Sequence, residues 1–164
     1  MNAGILPMVL LFLAAALALS WASWRGAAAG VAAAACASAV AALILGPQAM
    51  GSPALEWIFV GLWLSAIGTI GSMYVWTNMP LSVATAIGLN AGAWAGALAA
   101  GTSIRAQAIW AIPILLLAIP GHWLVQRGYG IALKVVGGWI IAIAILAIFV
   151  SLTPTPGYKP DHMQ

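Results

Sequence analysis

The chain has 164 residues, of which 65% are hydrophobic and 4% carry a charge, with a formal net charge of +3. A soluble domain typically has about 25% charged residues, so this composition excludes a water-soluble fold. The basic residues are also too few and too scattered to form a nucleic-acid interface. We therefore predict an all-α fold, a polytopic transmembrane helical bundle of about six spanning helices with short loops.

Charges, prolines and glycine-rich joints divide the sequence into six apolar runs. The runs cover approximately residues 4–22, 26–46, 54–76, 80–101, 106–125 and 131–152. The short joints predict that consecutive helices are antiparallel neighbours in a compact bundle. We expect a single transmembrane helical domain over residues 1–152 and a polar C-terminal tail over residues 153–164, where prolines disfavour a helix.

The first and sixth runs are rich in leucine, isoleucine and valine. This composition is typical of helices that face lipid, and we expect both to do so. The first run also has the apolar core of a secretory signal, but no basic residue precedes it, so we expect a retained first helix.

The second and fourth runs carry small residues four positions apart. Apolar surface gives helices no drive to associate inside a bilayer, so such strips predict close helix packing. The strip of the second run includes Gly26 and Gly30, and that of the fourth includes Gly88, Gly92 and Gly96. Alanine-rich helices also contain these spacings by chance, and this applies most to the second run.

Asn90 lies in the middle of the fourth run and points roughly opposite Gly88, at about 100° per residue. Facing lipid is costly for an amide. We therefore expect protein on both sides of the fourth helix, which places it centrally in the bundle or at a contact between subunits.

The third run places its hydroxyls within about a third of the helix circumference. Ser65, Thr69 and Ser72 form this track together with Gly61 and Gly68. One interpretation is a mildly polar path for a small solute. The other is that the hydroxyls bond to their own helix or to a neighbouring one, as is routine in membrane helices.

The fifth run contains Pro113 and Pro120, which remove helical hydrogen bonds and predict a bent helix. Broken helices can form transport sites at the membrane midplane. Proline is also commonly tolerated in membrane helices without such a role.

Most of the nine tryptophans lie at predicted helix borders, where amphipathic rings favour the headgroup level. Trp63, Trp94 and Trp139 fall deeper, and we expect them to pack inside the bundle.

Lysine and arginine residues favour one orientation. With six crossings, Arg25, Arg127 and Lys134 share one membrane face. Arg105 and Lys159 share the other. This excess places both termini outside the cytoplasm.

The richest polar cluster ends the fifth run, and its members are the candidate binding residues His122, Trp123, Arg127 and Tyr129. Such a group at a membrane face can bind a lipid phosphate, a quinone headgroup or a partner's carboxylate. It is more often a polar interfacial turn with aromatic anchors, which is the interpretation we prefer.

Catalytic and metal-ligating patterns are missing from the sequence. His122 is the only histidine near a predicted membrane helix, whereas membrane haem usually has two axial ligands. Neither a zinc ligand set nor a Gly-x-Ser-x-Gly elbow occurs. We predict no catalytic residue, no metal site, no cofactor and no enzymatic activity.

Three functions remain open. The first is a non-catalytic integral-membrane subunit or anchor within a larger membrane complex. The second is a small transporter or channel for a neutral or weakly polar solute, built from two three-helix halves. The third is an intramembrane enzyme or quinone-reactive unit centred on His122 and Arg127.

The first function is preferred because no charge is predicted deep in the membrane and the small-residue strips indicate close packing. The expected partners are membrane lipid and other membrane subunits or a homo-oligomer, without nucleic acid. The expected location is the bacterial cytoplasmic (inner) membrane.

Overall fold

The structure is a computed structural model that describes residues 5–45, 52–102 and 111–153. These residues are helical and contain no strand. The elements are α1 (Ile5–Leu19), α2 (Trp24–Ile44), α3 (Ser52–Val75), α4 (Leu81–Gly101), a 3₁₀ segment (Ile112–Leu117), α5 (Ala118–Gln126) and α6 (Gly130–Leu152). Helices α2, α3, α4 and α6 are long and apolar enough to cross a membrane. The all-helical prediction is confirmed for the described residues, and four of the predicted crossings have the required length.

The starts of α2 and α4 are joined side by side. The Met79 backbone N–H donates to the Trp21 carbonyl oxygen at 3.1 Å, and Ala22 forms a parallel bridge with Met79. Ser23 then caps α2 by accepting a hydrogen bond from the Gly26 N–H at 3.2 Å. Because both helices begin at this bridge, α2 and α4 run parallel.

The two small-residue strips pack against each other. A Cβ at each of the three α4 glycines would lie under 3.0 Å from the α2 backbone, closer than real Cβ atoms approach. The pairs are Gly88 with Gly30, Gly92 with Ala34, and Gly96 with Ser38. The backbones of α2 and α4 are therefore in direct contact over about two helical turns.

Helix α1 is the most enclosed helix, so the expectation that the first run faces lipid is wrong. Nine of its 15 residues are buried, and it packs against α3, α4, the 3₁₀ segment, α5 and α6. Leucine-rich composition fails as a guide here because a protein interior and a lipid are equally apolar. By contrast, only five of the 23 residues of α6 are buried.

The prediction that consecutive helices are close neighbours is wrong for α1 and α2, although the joint between them is short. Helix α2 makes few contacts with α1 and packs along α4 instead. The reason is that the glycine faces let α2 and α4 approach more closely than larger side chains would allow.

Helix α3 packs antiparallel to both α4 and α6. The Trp94 ring of α4 covers Gly61, and Gly137 of α6 lies against Met73. The Tyr74 hydroxyl donates to the Lys134 carbonyl oxygen at 2.9 Å. The end of α3 therefore lies beside the start of α6.

Of the three tryptophans expected to pack inside the bundle, Trp139 does not. Trp63 is 2% exposed, whereas Trp139 is 72% exposed on the outer face of α6. Its position in the middle of a run predicts depth along the helix and carries no information about which face is packed.

The proline-containing fifth run does not form one regular α-helix. Its described part begins with the 3₁₀ segment, which has Pro113 near its start, and continues as α5, which contains Pro120. Proline lacks the N–H of an α-helical hydrogen bond, which favours such local departures. Residues 103–110, which include Arg105 and the start of this run, and residues 154–164 of the tail lie outside the described residues.

Candidate functional site

Three basic residues share one end of the bundle, which we call the basic end. Arg25 lies in the first turn of α2, Arg127 follows α5, and Lys134 lies in the second turn of α6. The Lys134 ammonium is 4.9 Å from the centroid of the Trp21 ring. Glu56, the one acidic residue among the described ranges, lies near the start of α3, about 27 Å along that helix from Tyr74. The described part of the basic end is therefore cationic without a carboxylate.

His122 joins α5 to the end of α1. Its Nδ1 lies 3.2 Å from the Ser20 carbonyl oxygen, and its Nε2 lies 2.8 Å from the side-chain nitrogen of Gln126. Because a carbonyl only accepts, these contacts assign the proton to Nδ1 and make Nε2 the acceptor of the Gln126 amide. Gly121 permits this approach, since a Cβ there would meet the Ser20 hydroxyl. Both ring nitrogens are thus engaged within the chain.

The other three candidate residues lie on the outside. The Arg127 guanidinium carbon is 4.0 Å from the centroid of the Trp123 ring, in a cation–π contact. Trp123 and Tyr129 are both exposed. The structure therefore divides the predicted cluster into a half-buried His122, which contacts the end of α1, and an outward-facing aromatic and basic surface.

An apolar cleft separates the first half of α2 from the 3₁₀ segment and α5, and we call it the α2–α5 cleft. Its volume is about 390 Å³. Its lining residues are Trp24, Ala27, Ala28, Val31, Ala32, Leu115, Leu116, Ala118, Ile119 and His122. The cleft begins at the basic end and is flanked there by the exposed ring of Trp24.

A second concave surface, the α3–α4 groove, contains the predicted polar track. It has a volume of about 310 Å³. Its lining residues are Ser65, Gly68, Thr69, Ser72, Trp76, Val83, Ala86, Ile87 and Asn90. The Asn90 side-chain nitrogen donates to the Ser65 hydroxyl oxygen, and Asn90 remains exposed. This pair lies near the middle of both helices.

The hydroxyls of the α3–α4 groove are only partly satisfied. Ser72 donates to the Thr69 carbonyl oxygen at 2.6 Å, as expected for a hydroxyl that bonds to its own helix. The Thr69 hydroxyl makes no hydrogen bond to any described residue, although the side chain is only 4% exposed. A Cβ at Gly68 would have no neighbour within 4 Å. The groove is thus open and retains hydrogen-bonding capacity.

The predicted packing glycines and Asn90 lie on different faces of α4. Gly88, Gly92 and Gly96 face α2, whereas Asn90 faces α3 and the open groove. In α2, Gly30 lies against α4 and Gly26 lies beside the turn at Ala22.

Sequence reasoning missed the partners of His122. The spacing of His122 and Gln126 by four residues is a usable signal for a hydrogen bond along one helix. The contact with the Ser20 carbonyl joins positions 102 residues apart and has no local signal. The α2–α5 cleft was also missed, because it is formed by helices that are not consecutive.

Within residues 5–45, 52–102 and 111–153, no three histidine, cysteine, aspartate or glutamate side chains come together in a metal-binding arrangement. Comparison with protein-family models, with curated proteins and with solved structures gave no match.

Proposed function

We propose that this chain is a multi-pass protein of the bacterial cytoplasmic membrane and acts as a non-catalytic subunit or anchor of a larger membrane complex. In this proposal the chain crosses the bilayer six times, and the fifth crossing includes both the 3₁₀ segment and α5. Helix α1 is about 22 Å long, shorter than the roughly 30 Å hydrocarbon core. Its enclosure supports its place as a central crossing, because nine of its 15 residues are buried against the other helices.

The α3–α4 groove carries this proposal. Asn90 is the tenth of the 21 residues of α4, so it lies near the midplane of a helix that crosses a membrane. Lipid chains offer no hydrogen-bond partner for its amide or for the Thr69 hydroxyl. A transmembrane helix of another subunit that carries hydroxyl or amide side chains provides those partners.

The surroundings of His122 support a non-catalytic role. Both ring nitrogens are engaged by the Ser20 carbonyl and Gln126. A quinone carbonyl or a substrate would have to break one of these bonds before it could reach the imidazole. Apart from the exposed Cys36 in the middle of α2, the described ionisable residues lie near helix ends, which also weighs against proton chemistry inside the bundle.

Site-specific crosslinking tests the docking face. A photoreactive amino acid at Gly68 of the full-length chain, expressed in a bacterial membrane, is expected to give a discrete protein adduct after irradiation. The same group at Trp139, on the outer face of α6, serves as the control and is expected to react mainly with lipid. Asn90→Leu is expected to remove the adduct from position 68, because the partner's polar side chain loses its hydrogen-bond partner.

Thr85→Val is a matched substitution on α4. The Thr85 hydroxyl donates to the Leu81 carbonyl oxygen of its own helix and lies outside the groove. The adduct should therefore persist in this variant. An adduct of twice the mass of the chain identifies a homo-oligomer. Lipid adducts alone from position 68, with a monomeric chain after mild extraction, contradict the proposal.

A transporter for a neutral solute is the second candidate, and the same groove favours it. Its polar lining runs from Ser65 in the middle of α3 to Trp76 at the basic end. The packing weighs against two equivalent halves: α1 packs on α3, whereas the corresponding helices α4 and α6 make no comparable contact among the described residues. Solute uptake by vesicles that contain only this chain, if Thr69→Val abolishes it, would favour the transporter function over the subunit function.

A further inference from the structure

We propose that the α2–α5 cleft binds one acyl chain of an anionic phospholipid, whose headgroup lies at the basic end. This site is separate from the α3–α4 groove and does not depend on a protein partner. It assigns a ligand to a surface that the proposed subunit function leaves unused.

The shape of the cleft fits an extended hydrocarbon chain. Its α2 wall runs from Trp24 to Ala32, which is about 12 Å along the helix axis. One leaflet of a bilayer contributes about 15 Å of hydrocarbon. Because the cleft begins at the basic end and follows α2, a chain within it has the direction and depth of a lipid tail.

The small side chains of α2 create the cleft. Ala27, Ala28 and Ala32 line it, and each leaves room that a larger side chain would fill. Helix α2 is held in place by its backbone contacts with α4 on the other face. The gap to α5 is therefore a fixed feature of the packing and stays open to an apolar occupant.

The charge at the basic end, where the cleft begins, favours an anionic headgroup. Arg25 directly follows Trp24 of the lining, and Arg127 and Lys134 lie at the same end. Glu56 lies at the opposite end of α3, so no carboxylate of the described chain neutralises these cations. Clusters of basic residues beside membrane helices attract anionic lipids.

Two other occupants fit less well. A quinone needs a hydrogen-bond donor for its carbonyl, and the ring nitrogens of His122 are already engaged. The polar tail of this chain is the other alternative occupant. It fits less well because it follows Thr153, at the end of α6 that points away from the basic end where the cleft begins. A lipid tail requires only the apolar walls that the cleft provides.

Native mass spectrometry of the delipidated full-length protein tests the proposal, with phosphatidylglycerol and phosphatidylcholine of matched chains as probes. We expect phosphatidylglycerol to bind roughly fivefold more tightly. Ala28→Leu fills the cleft and should reduce the binding of both lipids several-fold. Ala39→Leu is the matched control, because Ala39 is also exposed on α2 but lies outside the cleft. Arg25→Gln should reduce the preference for phosphatidylglycerol while chain-dependent binding persists.

Two results would overturn the proposal. If both lipids bind equally and Ala28→Leu has no effect, the bound molecules are ordinary surrounding lipid. If Arg25→Gln removes the preference but Ala28→Leu changes nothing, the headgroup is recognised at the basic end without the cleft. Ala28 is exposed, so the variant should fold, and an unchanged melting curve in detergent checks that it does.

Discussion

On one face of α4, Gly88, Gly92 and Gly96 bring two backbones into contact, while on another face Asn90 and Ser65 form a single hydrogen bond beside an open groove. The first face contains no polar side chain from α4, and its contacts are complete within the chain. The second keeps unused donors and acceptors. The difference separates contacts that hold this chain together from contacts that remain available to another molecule.

Gly88→Ala should have the largest effect on the isolated chain. An added Cβ would collide with the Gly30 backbone, which cannot rotate away as a side chain can. We expect a loss of about 1–3 kcal/mol in unfolding free energy, measured by denaturant titration in detergent. Gly68→Ala is the matched control, because a Cβ there meets nothing within 4 Å and alanine favours the helix. Equal losses in both variants would contradict the role assigned to the glycine face.

His122→Ala should have an intermediate effect, because His122 also belongs to the internally completed contacts. The change removes the hydrogen bonds to Ser20 and Gln126, and we expect a loss of about 1–2 kcal/mol by the same titration. Faster amide exchange at the end of α5 should accompany it. Trp123→Ala, at the exposed neighbouring position, should cost less. A larger loss of unfolding free energy for Trp123→Ala than for His122→Ala would contradict the conclusion that His122, rather than Trp123, contributes to the packing within the chain.

Asn90→Leu should have the smallest effect on the isolated chain. Hydrogen bonds between membrane helices contribute about 0.6 kcal/mol on average, and this one is exposed. The unfolding free energy should change by less than about 1 kcal/mol. The same substitution should abolish crosslinking from Gly68. A loss of stability as large as that of Gly88→Ala would make Asn90 a residue of the internal packing and remove the contrast between the two faces.

The sequence predicted where helices occur better than it predicted which faces they bury. Helix borders depend on local signals such as charges, prolines and turn residues. Helices α1 to α4 and α6 begin and end within a few residues of the predicted runs, whereas the fifth run is divided between the 3₁₀ segment and α5. Trp139 and the whole of α1 were assigned to the wrong environment because apolar composition does not distinguish lipid from protein interior.

The candidate sites were predictable in part. Spacing alone placed Ser65, Thr69 and Ser72 on one face and Asn90 opposite Gly88. Spacing did not reveal that the α4 glycines face α2, because the partner of a small-residue strip is a long-range property. For the same reason, the α2–α5 cleft and the contact between His122 and Ser20 could not be predicted from local patterns.

The bridge between Ala22 and Met79 has a consequence for biogenesis. During synthesis, α2 leaves the ribosome before α3 and α4, and its principal packing partner is complete only at Gly101. Until then its glycine face has no matching backbone to meet. The packing of α2 therefore has to wait until α4 has been inserted. Between the insertion of α2 and that of α4, the glycine face of α2 is a surface that a membrane chaperone would have to protect.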